Sequence, residues 1–150
     1  MCFRRSRVGD VPQVITAMLA DEESMDRFAS SAYPNESGAV ITFVGVVRNH
    51  DHGRGVSELE YVAHPSASEV LQQAAESVAA RHPDVGTMRV GHRTGLLAVG
   101  QRSLLVEVSA AHRAQAFAAC AELVEDVKRV LPVWKRQVFA DAGEEWVNSP

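Results

Sequence analysis

The order of apolar and polar positions along the chain predicts several β-strands. Residues 39–47 are apolar on both faces and rich in β-branched side chains, which is typical of a central strand. Residues 56–63 alternate, with Leu59 and Tyr61 on one face and two glutamates on the other, as in a strand with one buried face. The same alternation predicts further strands at residues 88–92, 104–108 and 133–140.

Helical spacing of apolar residues marks three other segments. Residues 11–28 carry apolar side chains at helical intervals, namely Val14, Ile15, Met18 and Leu19, and predict a short amphipathic helix. A capping-box pattern at residues 66–69 opens a long helix that should close near Pro83. A second long helix is predicted over residues 114–131, with an apolar stripe of Phe117, Cys120, Val124, Val127 and Leu131.

These elements in mixed order predict an α+β fold. The expectation is a single domain over residues 1–150, with a mixed, mainly antiparallel sheet and two long helices. A chain of 150 residues with 46% hydrophobic and 23% charged residues has the composition of an ordinary globular protein that can bury a core.

Charge and hydropathy exclude two classes of partner. The net charge of −4 argues against general binding of nucleic acid through phosphate neutralisation. No apolar run approaches the roughly 20 residues needed to span a membrane, and the basic N-terminus lacks the apolar run of a signal peptide, so a cytoplasmic protein is expected.

Cys2 and Cys120 predict no disulfide framework, with Cys2 in a loose end and Cys120 as a small buried side chain.

Cations cluster at the ends of predicted elements, where functional groups are usually displayed. Arg48 closes an apolar strand, His112 and Arg113 lie where a strand meets a helix, and Lys128 and Lys135 flank the corner at Pro132, followed by Arg136. Arginine forks and a helix N-terminus both favour anions. Together, these cations predict a local anion site on an acidic protein.

Each of these residues also has a structural interpretation. Arg48 fits a strand-end salt bridge, His112 a helix cap, and Lys128 a helix C-terminus favoured by the macrodipole. Arg136 taken alone fits a solvent-facing position. His50 and His52, with Asp51 between them, suggest a metal site. This His-x-His loop has no further ligand at a recognisable spacing, so a solvated loop is favoured and no metal is expected.

In order and spacing, these segments resemble the large (catalytic) subunit of molybdopterin synthase. The matching segments are residues 38–57, 59–61, 92–95, 108–118 and 127–138, of which SAAHR and PVWKR together are specific. The resemblance covers a core of residues 38–147, whereas residues 1–37 form a divergent N-terminal segment.

The resemblance implies a sulfurtransferase that acts in molybdenum cofactor biosynthesis. In this family a small ubiquitin-like subunit brings a thiocarboxylate on its C-terminal Gly-Gly tail. Two sulfur transfers then install the dithiolene on cyclic pyranopterin monophosphate. The large subunit forms a homodimer within a heterotetramer, has an α/β hammerhead-like fold, and needs no cofactor or metal.

The resemblance also implies roles for individual residues. Lys128 and Lys135 match the two catalytic lysines of the family. The substrate-pocket positions are matched by Arg48, His112 and Arg113, with Phe43 as an apolar wall. Arg136 is added to the expected substrate-binding residues because it belongs to the same cation cluster as Lys128 and Lys135. Two alternatives stay open: a non-catalytic binding module for a ubiquitin-like sulfur carrier, and a metal-dependent hydrolase that uses His50 and His52.

Overall fold

Two β-sheets and three helices make up the computed structural model, which describes residues 12–30, 32–141 and 143–149. The predicted loose end with Cys2 lies outside these residues. The strands are β1 (Gln13–Leu19), β2 (Ala39–Val46), β3 (His50–Asp51), β4 (Arg54–Ala63), β5 (Val85–Arg93), β6 (Gly95–Ala98), β7 (Arg102–Ala110), β8 (Val133–Phe139) and β9 (Glu144–Ser149). The helices are α1 (Glu22–Phe28), α2 (Ala67–Arg81) and α3 (Arg113–Val130).

The main core lies between the first sheet and the two long helices. This sheet has the strand order β1-β5-β7-β2, with β1 parallel to β5 and the other pairs antiparallel. Alternate residues of β5 and β7, such as Met88 and Val106, pack on Leu71 of α2 and Leu123 of α3, and all four are fully buried. Burial of this apolar surface is the main force that holds the layers together.

The second sheet contains Lys135 and Arg136, both in β8. It has the order β3-β4-β8-β9, with β6 also pairing with β4. Its contact with the end of β2 is a small cluster of Val47, Leu59 and Leu97. Helix α3 ends at the Leu131 cap, and the chain re-emerges as β8 beyond Pro132. The two sheets and the end of α3 therefore meet around this corner.

Most predicted elements are confirmed, including the α+β class, both long helices and the strands now labelled β4, β5, β7 and β8. The predicted helix over residues 11–28 is wrong. Residues 13–19 form β1, because their apolar side chains bury in parallel register on β5, with Val14 opposite Met88. A helix begins only at Glu22, where Asp21 caps it by accepting a hydrogen bond from the Ser24 amide at 2.7 Å.

Three finer predictions are also wrong. Strand β2 is an edge strand rather than a central one, and its residues Val44 and Val46 are exposed. Phe117 is 58% exposed, so it does not belong to the buried stripe of α3. Ser66 stands at the N-cap of α2 in a helical conformation, and its side chain makes no capping hydrogen bond.

Candidate functional site

A cavity of about 340 Å³ opens where β2, β4, β7, α3 and β8 meet. Each of these elements contributes one to three lining residues, and the segment after β2 adds three more. The lining residues are Gly45, Val46, Val47, Arg48, His50, Val56, Leu59, Tyr61, Ser103, Lys128, Lys135 and Gln137. The sequence contains only two lysines, and both line this cavity. We refer to it as the basic cavity.

The local fold explains how the two lysines come together. Lys128 lies in the last turn of α3, and Lys135 lies in β8 beyond the Pro132 corner. In the antiparallel pairing of β4 with β8, Tyr61 is opposite Lys135 and Leu59 is opposite Gln137. Side chains directly opposite each other share one face of a sheet, so these four line the same wall.

Gly45 keeps another wall of the basic cavity open. A Cβ atom at this position would lie 3.3 Å from both Leu104 Cβ and Ser103 Oγ, and 3.7 Å from Phe43 Cε1. Phe43 itself packs against the main core, next to the cavity rather than in its lining. A side chain at residue 45 would therefore press on the wall formed by β7.

A carboxylate organises one rim of the basic cavity. Asp51 lies in the tight hairpin between β3 and β4, where His52 and Gly53 take positive φ angles of 49° and 77°. Its oxygens accept hydrogen bonds from Gln137 Nε2 at 2.9 Å and from Arg48 Nη2 at 3.3 Å. The hydrogen bond from Gln137, followed by the charges of His52, Lys135 and Arg48, holds the Asp51 pKa below its usual range.

The environment of Lys135 favours loss of its proton. Burial lowers the pKa of its amine, the charge of Asp51 partly opposes that shift, and the nearby charges of Lys128 and Arg48 lower the pKa further. Within the described residues, neither lysine forms an ion pair with a carboxylate within 4.0 Å. Both amines therefore remain available to a ligand.

Two predicted site residues lie far from the basic cavity. His112 occupies the position just before α3 and Arg113 is the first residue of the helix, and both are exposed. At 1.5 Å per residue, the helix separates Arg113 from Lys128 by roughly 22 Å. The His112 side chain makes no capping hydrogen bond, so the alternative role as a helix cap is not supported. One copy of the chain does not bring these two residues to the lysines.

Arg136 also lies outside the basic cavity. Successive residues of a strand face opposite sides, so Arg136 is turned away from its neighbours Lys135 and Gln137. Its Nε donates to Glu60 Oε1 at 3.2 Å and its Nη1 donates to Glu144 Oε2 at 3.0 Å. Its charge is thus engaged by two carboxylates.

Gln137, Asp51 and His92 have structural roles at the site that sequence reasoning missed. Gln137 lines the basic cavity, is 3% exposed, and its Oε1 is buried without a hydrogen-bond partner among the described residues. Gln137 lies two residues after Lys135 in a predicted strand, so the sequence alone indicated that the two side chains face the same side. His92 occupies the buried face of β5 beside Lys128, and its place in the Met88–Val90–His92 alternation was the corresponding signal.

Neither a metal centre nor a membrane span is found in the part of the chain that the structure describes. No three His, Cys, Asp or Glu side chains there lie close enough together to hold a metal ion. None of the helices in those residues is both long and apolar enough to cross a membrane.

Comparison with known proteins places this geometry in a family. Residues 16–130 match the family model described as MoaE protein. The chain belongs to the MoaE family. The molybdopterin synthase catalytic subunit of Nostoc sp. is 36% identical to it over 126 residues, which cover 83% of this chain and 76% of the relative.

Solved structures agree with this assignment. The crystal structure of molybdopterin synthase from Staphylococcus aureus matches with a TM-score of 0.71 and 26% identity, over 93% of this MoaE-family chain and 98% of the other. A complex of subunits 1 and 2 of molybdopterin-converting factor from Helicobacter pylori matches with a TM-score of 0.63 and 22% identity, over 91% and 88% of the two chains, which shows a shared fold.

Proposed function

We propose that this chain is the catalytic subunit of a molybdopterin synthase and that the basic cavity is where sulfur transfer takes place. The substrate is cyclic pyranopterin monophosphate, and the product carries the dithiolene of molybdopterin. The observation that carries this proposal is the convergence of the only two lysines of the chain, with Arg48, on one cavity of about 340 Å³. A volume of this order fits a small-molecule ligand.

The described part of the chain offers no reactive thiol, so the sulfur is proposed to come from a partner. Cys120 is the only cysteine in the described residues, it is buried within α3, and burial raises the pKa of its thiol. A buried thiol with a raised pKa is a poor nucleophile, because the thiolate is the reactive form. A small ubiquitin-like subunit with a thiocarboxylate at its C-terminal Gly-Gly tail supplies the sulfur.

Each sulfur transfer is balanced in atoms and electrons and needs no oxidant or reductant. The thiocarboxylate sulfur forms a bond to a substrate carbon while the bond from that carbon to oxygen breaks. The oxygen leaves with the electron pair and takes up a proton. Water then cleaves the acyl–sulfur bond, which returns the tail to a carboxylate and leaves the sulfur on the pterin. Two such transfers produce the dithiolene.

The two lysines have different parts in this step. Lys135 is the proton donor to the departing oxygen, because burial and cationic neighbours lower its pKa towards the working range of an acid catalyst. Lys128 and Arg48 bind the phosphate and stabilise the negative charge that develops as the oxygen departs. Asp51 holds Arg48 and Gln137 in place on the rim.

A second copy of the chain supplies His112 and Arg113. Both residues belong to the substrate pocket by family resemblance, yet one chain leaves them exposed and roughly 22 Å from Lys128 along α3. Within the described residues, Arg113 has no carboxylate partner of its own. A homodimer that places the start of one α3 at the basic cavity of the other completes the cation set, and two small subunits make it a heterotetramer. The assembly works in the cytoplasm.

The test is reconstitution with purified components. The chain is incubated with a thiocarboxylated small subunit and cyclic pyranopterin monophosphate, and the dithiolene product is measured. Lys128→Ala and Lys135→Ala are expected to lose product formation while they keep the fold and the affinity for the small subunit. Arg129→Ala is the matched control, because Arg129 follows Lys128 but pairs with Asp126 at 3.2 Å outside the cavity.

Two outcomes would replace the proposal. Full activity in both lysine variants would remove the mechanism. Tight binding of the small subunit with no product from the wild-type chain would favour a non-catalytic binding module.

A further inference from the structure

A smaller cavity of about 20 Å³ lies directly beside the basic cavity. Tyr61, Ser103 and Lys128 line both cavities, whereas His92 lines only the smaller one. His92 is 7% exposed and lies near the end of β5. The proposed function gives it no part, although its segment belongs to the resemblance.

The protonation of His92 is fixed by its surroundings. Its Nδ1 lies 2.7 Å from the Arg93 carbonyl oxygen, and because a carbonyl can only accept, Nδ1 carries the hydrogen. Burial lowers the His92 pKa to about 4, against the opposing effect of that hydrogen bond, and the charge of Lys128 lowers it further. At neutral pH the imidazole is therefore uncharged, and its Nε2 has an unprotonated lone pair in the ring plane.

The ring is held rigidly in this position. The ring centroids of Tyr61 and His92 are 4.8 Å apart with an interplanar angle of 85°, an edge-to-face contact. With Nδ1 bound to the backbone and one side against Tyr61, the ring has little freedom to turn. The small cavity that it shares with Lys128 has space for about one water molecule.

We propose that His92 is a positioning residue for Lys128: its Nε2 accepts a hydrogen bond from one water molecule that itself accepts a hydrogen bond from the Lys128 ammonium, and so aims that ammonium into the basic cavity. A neutral acceptor suits this purpose, because it orients the ammonium without cancelling its charge. A carboxylate in the same place would pair with the lysine and weaken its attraction for phosphate. A flexible lysine with no acceptor would lose more side-chain freedom on binding the substrate.

The direct test uses the free chain, without substrate or small subunit. The ¹⁵N resonances of the His92 ring are compared between the wild-type chain and Lys128→Met, with Arg129→Ala as the control cation next to it in α3. Removal of the ammonium is expected to shift the Nε2 resonance and to leave Nδ1, bound to the Arg93 carbonyl, nearly unchanged. An unmoved Nε2 resonance, or equal shifts at both nitrogens, would overturn the inference whether or not the proposed function holds.

A kinetic test rests on the proposed function and separates positioning from packing. His92→Gln places an amide oxygen near the Nε2 position, whereas His92→Asn keeps only a donor near the Nδ1 position. The glutamine variant should retain kcat within about threefold, and the asparagine variant should fall to the level of Lys128→Met with unchanged binding of the small subunit. Combining His92→Asn with Lys128→Met should cost nothing further, because coupled residues are not additive. Additive losses would contradict the positioning role.

Discussion

The cations around α1 and those in the basic cavity have opposite surroundings. Arg102 donates to Glu22 Oε2 at 2.7 Å and also pairs with Asp26, and Arg93, which is 3% exposed, lies 3.5 Å from Glu22. Lys128 and Lys135 have no such partners among the described residues, although the chain has 19 acidic residues against 15 basic ones. A cation that is left unpaired in an acidic protein is available to a ligand.

The contrast also sorts the predicted site residues. Within the described part of the chain, no carboxylate pairs with Arg113, Lys128 or Lys135. Arg48, whose own side chain is 71% exposed, makes one long contact of 3.3 Å with Asp51. Arg136, by comparison, is held by two carboxylates. We propose that cations without a close carboxylate partner serve the substrate and that closely paired cations stabilise the fold. Sequence position alone does not separate the two groups.

The largest effect on kcat should come from replacing the titratable amine of Lys135 by a permanently charged guanidinium. Lys135→Arg keeps a cation in the basic cavity but cannot donate a proton near neutral pH, so kcat is expected to fall by about 100-fold or more with little change in substrate affinity. In the wild-type chain the rate requires the ammonium form. It should therefore decline as pH rises through the Lys135 pKa, which lies below the usual lysine range.

The Lys135→Arg variant should show no such decline of kcat with rising pH, and a pH–rate profile measures this. Lys128→Arg is the matched comparison and should lose less, because its proposed work is charge stabilisation. Equal losses in the two arginine variants would contradict the division of roles between the lysines.

Breaking the ion pairs around α1 should affect stability instead of activity. Glu22→Gln removes the carboxylate shared by Arg93 and Arg102 and leaves the buried Arg93 charge poorly compensated, so unfolding free energy is expected to fall by about 1–2 kcal/mol. Urea denaturation measures this change. Glu23→Gln is the control, since it breaks only the exposed pair with Arg27 and should cost less than about 0.5 kcal/mol. Loss of sulfur transfer in folded Glu22→Gln would show that the two regions are not separate.

Sequence patterns predicted the elements whose apolar residues recur with the period of a strand or of a helix. Strands β4, β5 and β7 and helices α2 and α3 all have this character. The spacing of Val14, Ile15, Met18 and Leu19 fits both a helix face and a two-sided strand, and only the partner strand β5 decides between them. Whether β2 lies at the centre or the edge likewise depends on its neighbours, which local composition does not contain.

The site was predictable in residue type more than in position. The lysines on both sides of Pro132 were identified from the sequence, because a helix must end there and the chain must turn. The separation of Arg113 from Lys128 could also have been calculated, since the number of residues in a helix fixes its length. For His92 and Gln137 the sequence offered only their positions in predicted strands. Their hydrogen bonds to the Arg93 carbonyl and to Asp51, and their burial, are visible only in the tertiary structure.

The smallest effect should come from Arg136, which the sequence analysis assigns to the substrate site but which the structure pairs with two carboxylates. Arg136→Gln removes the contacts with Glu60 and Glu144 on the face of β8 opposite Lys135. These partly exposed pairs contribute little, so stability should change by less than about 1 kcal/mol. The rate of sulfur transfer should stay within about threefold of wild type, whereas Arg48→Gln should weaken substrate binding measured by titration with the cyclic pterin. If Arg136→Gln and Arg48→Gln weakened that binding equally, pairing with carboxylates would fail as the criterion that separates structural cations from those that bind the substrate.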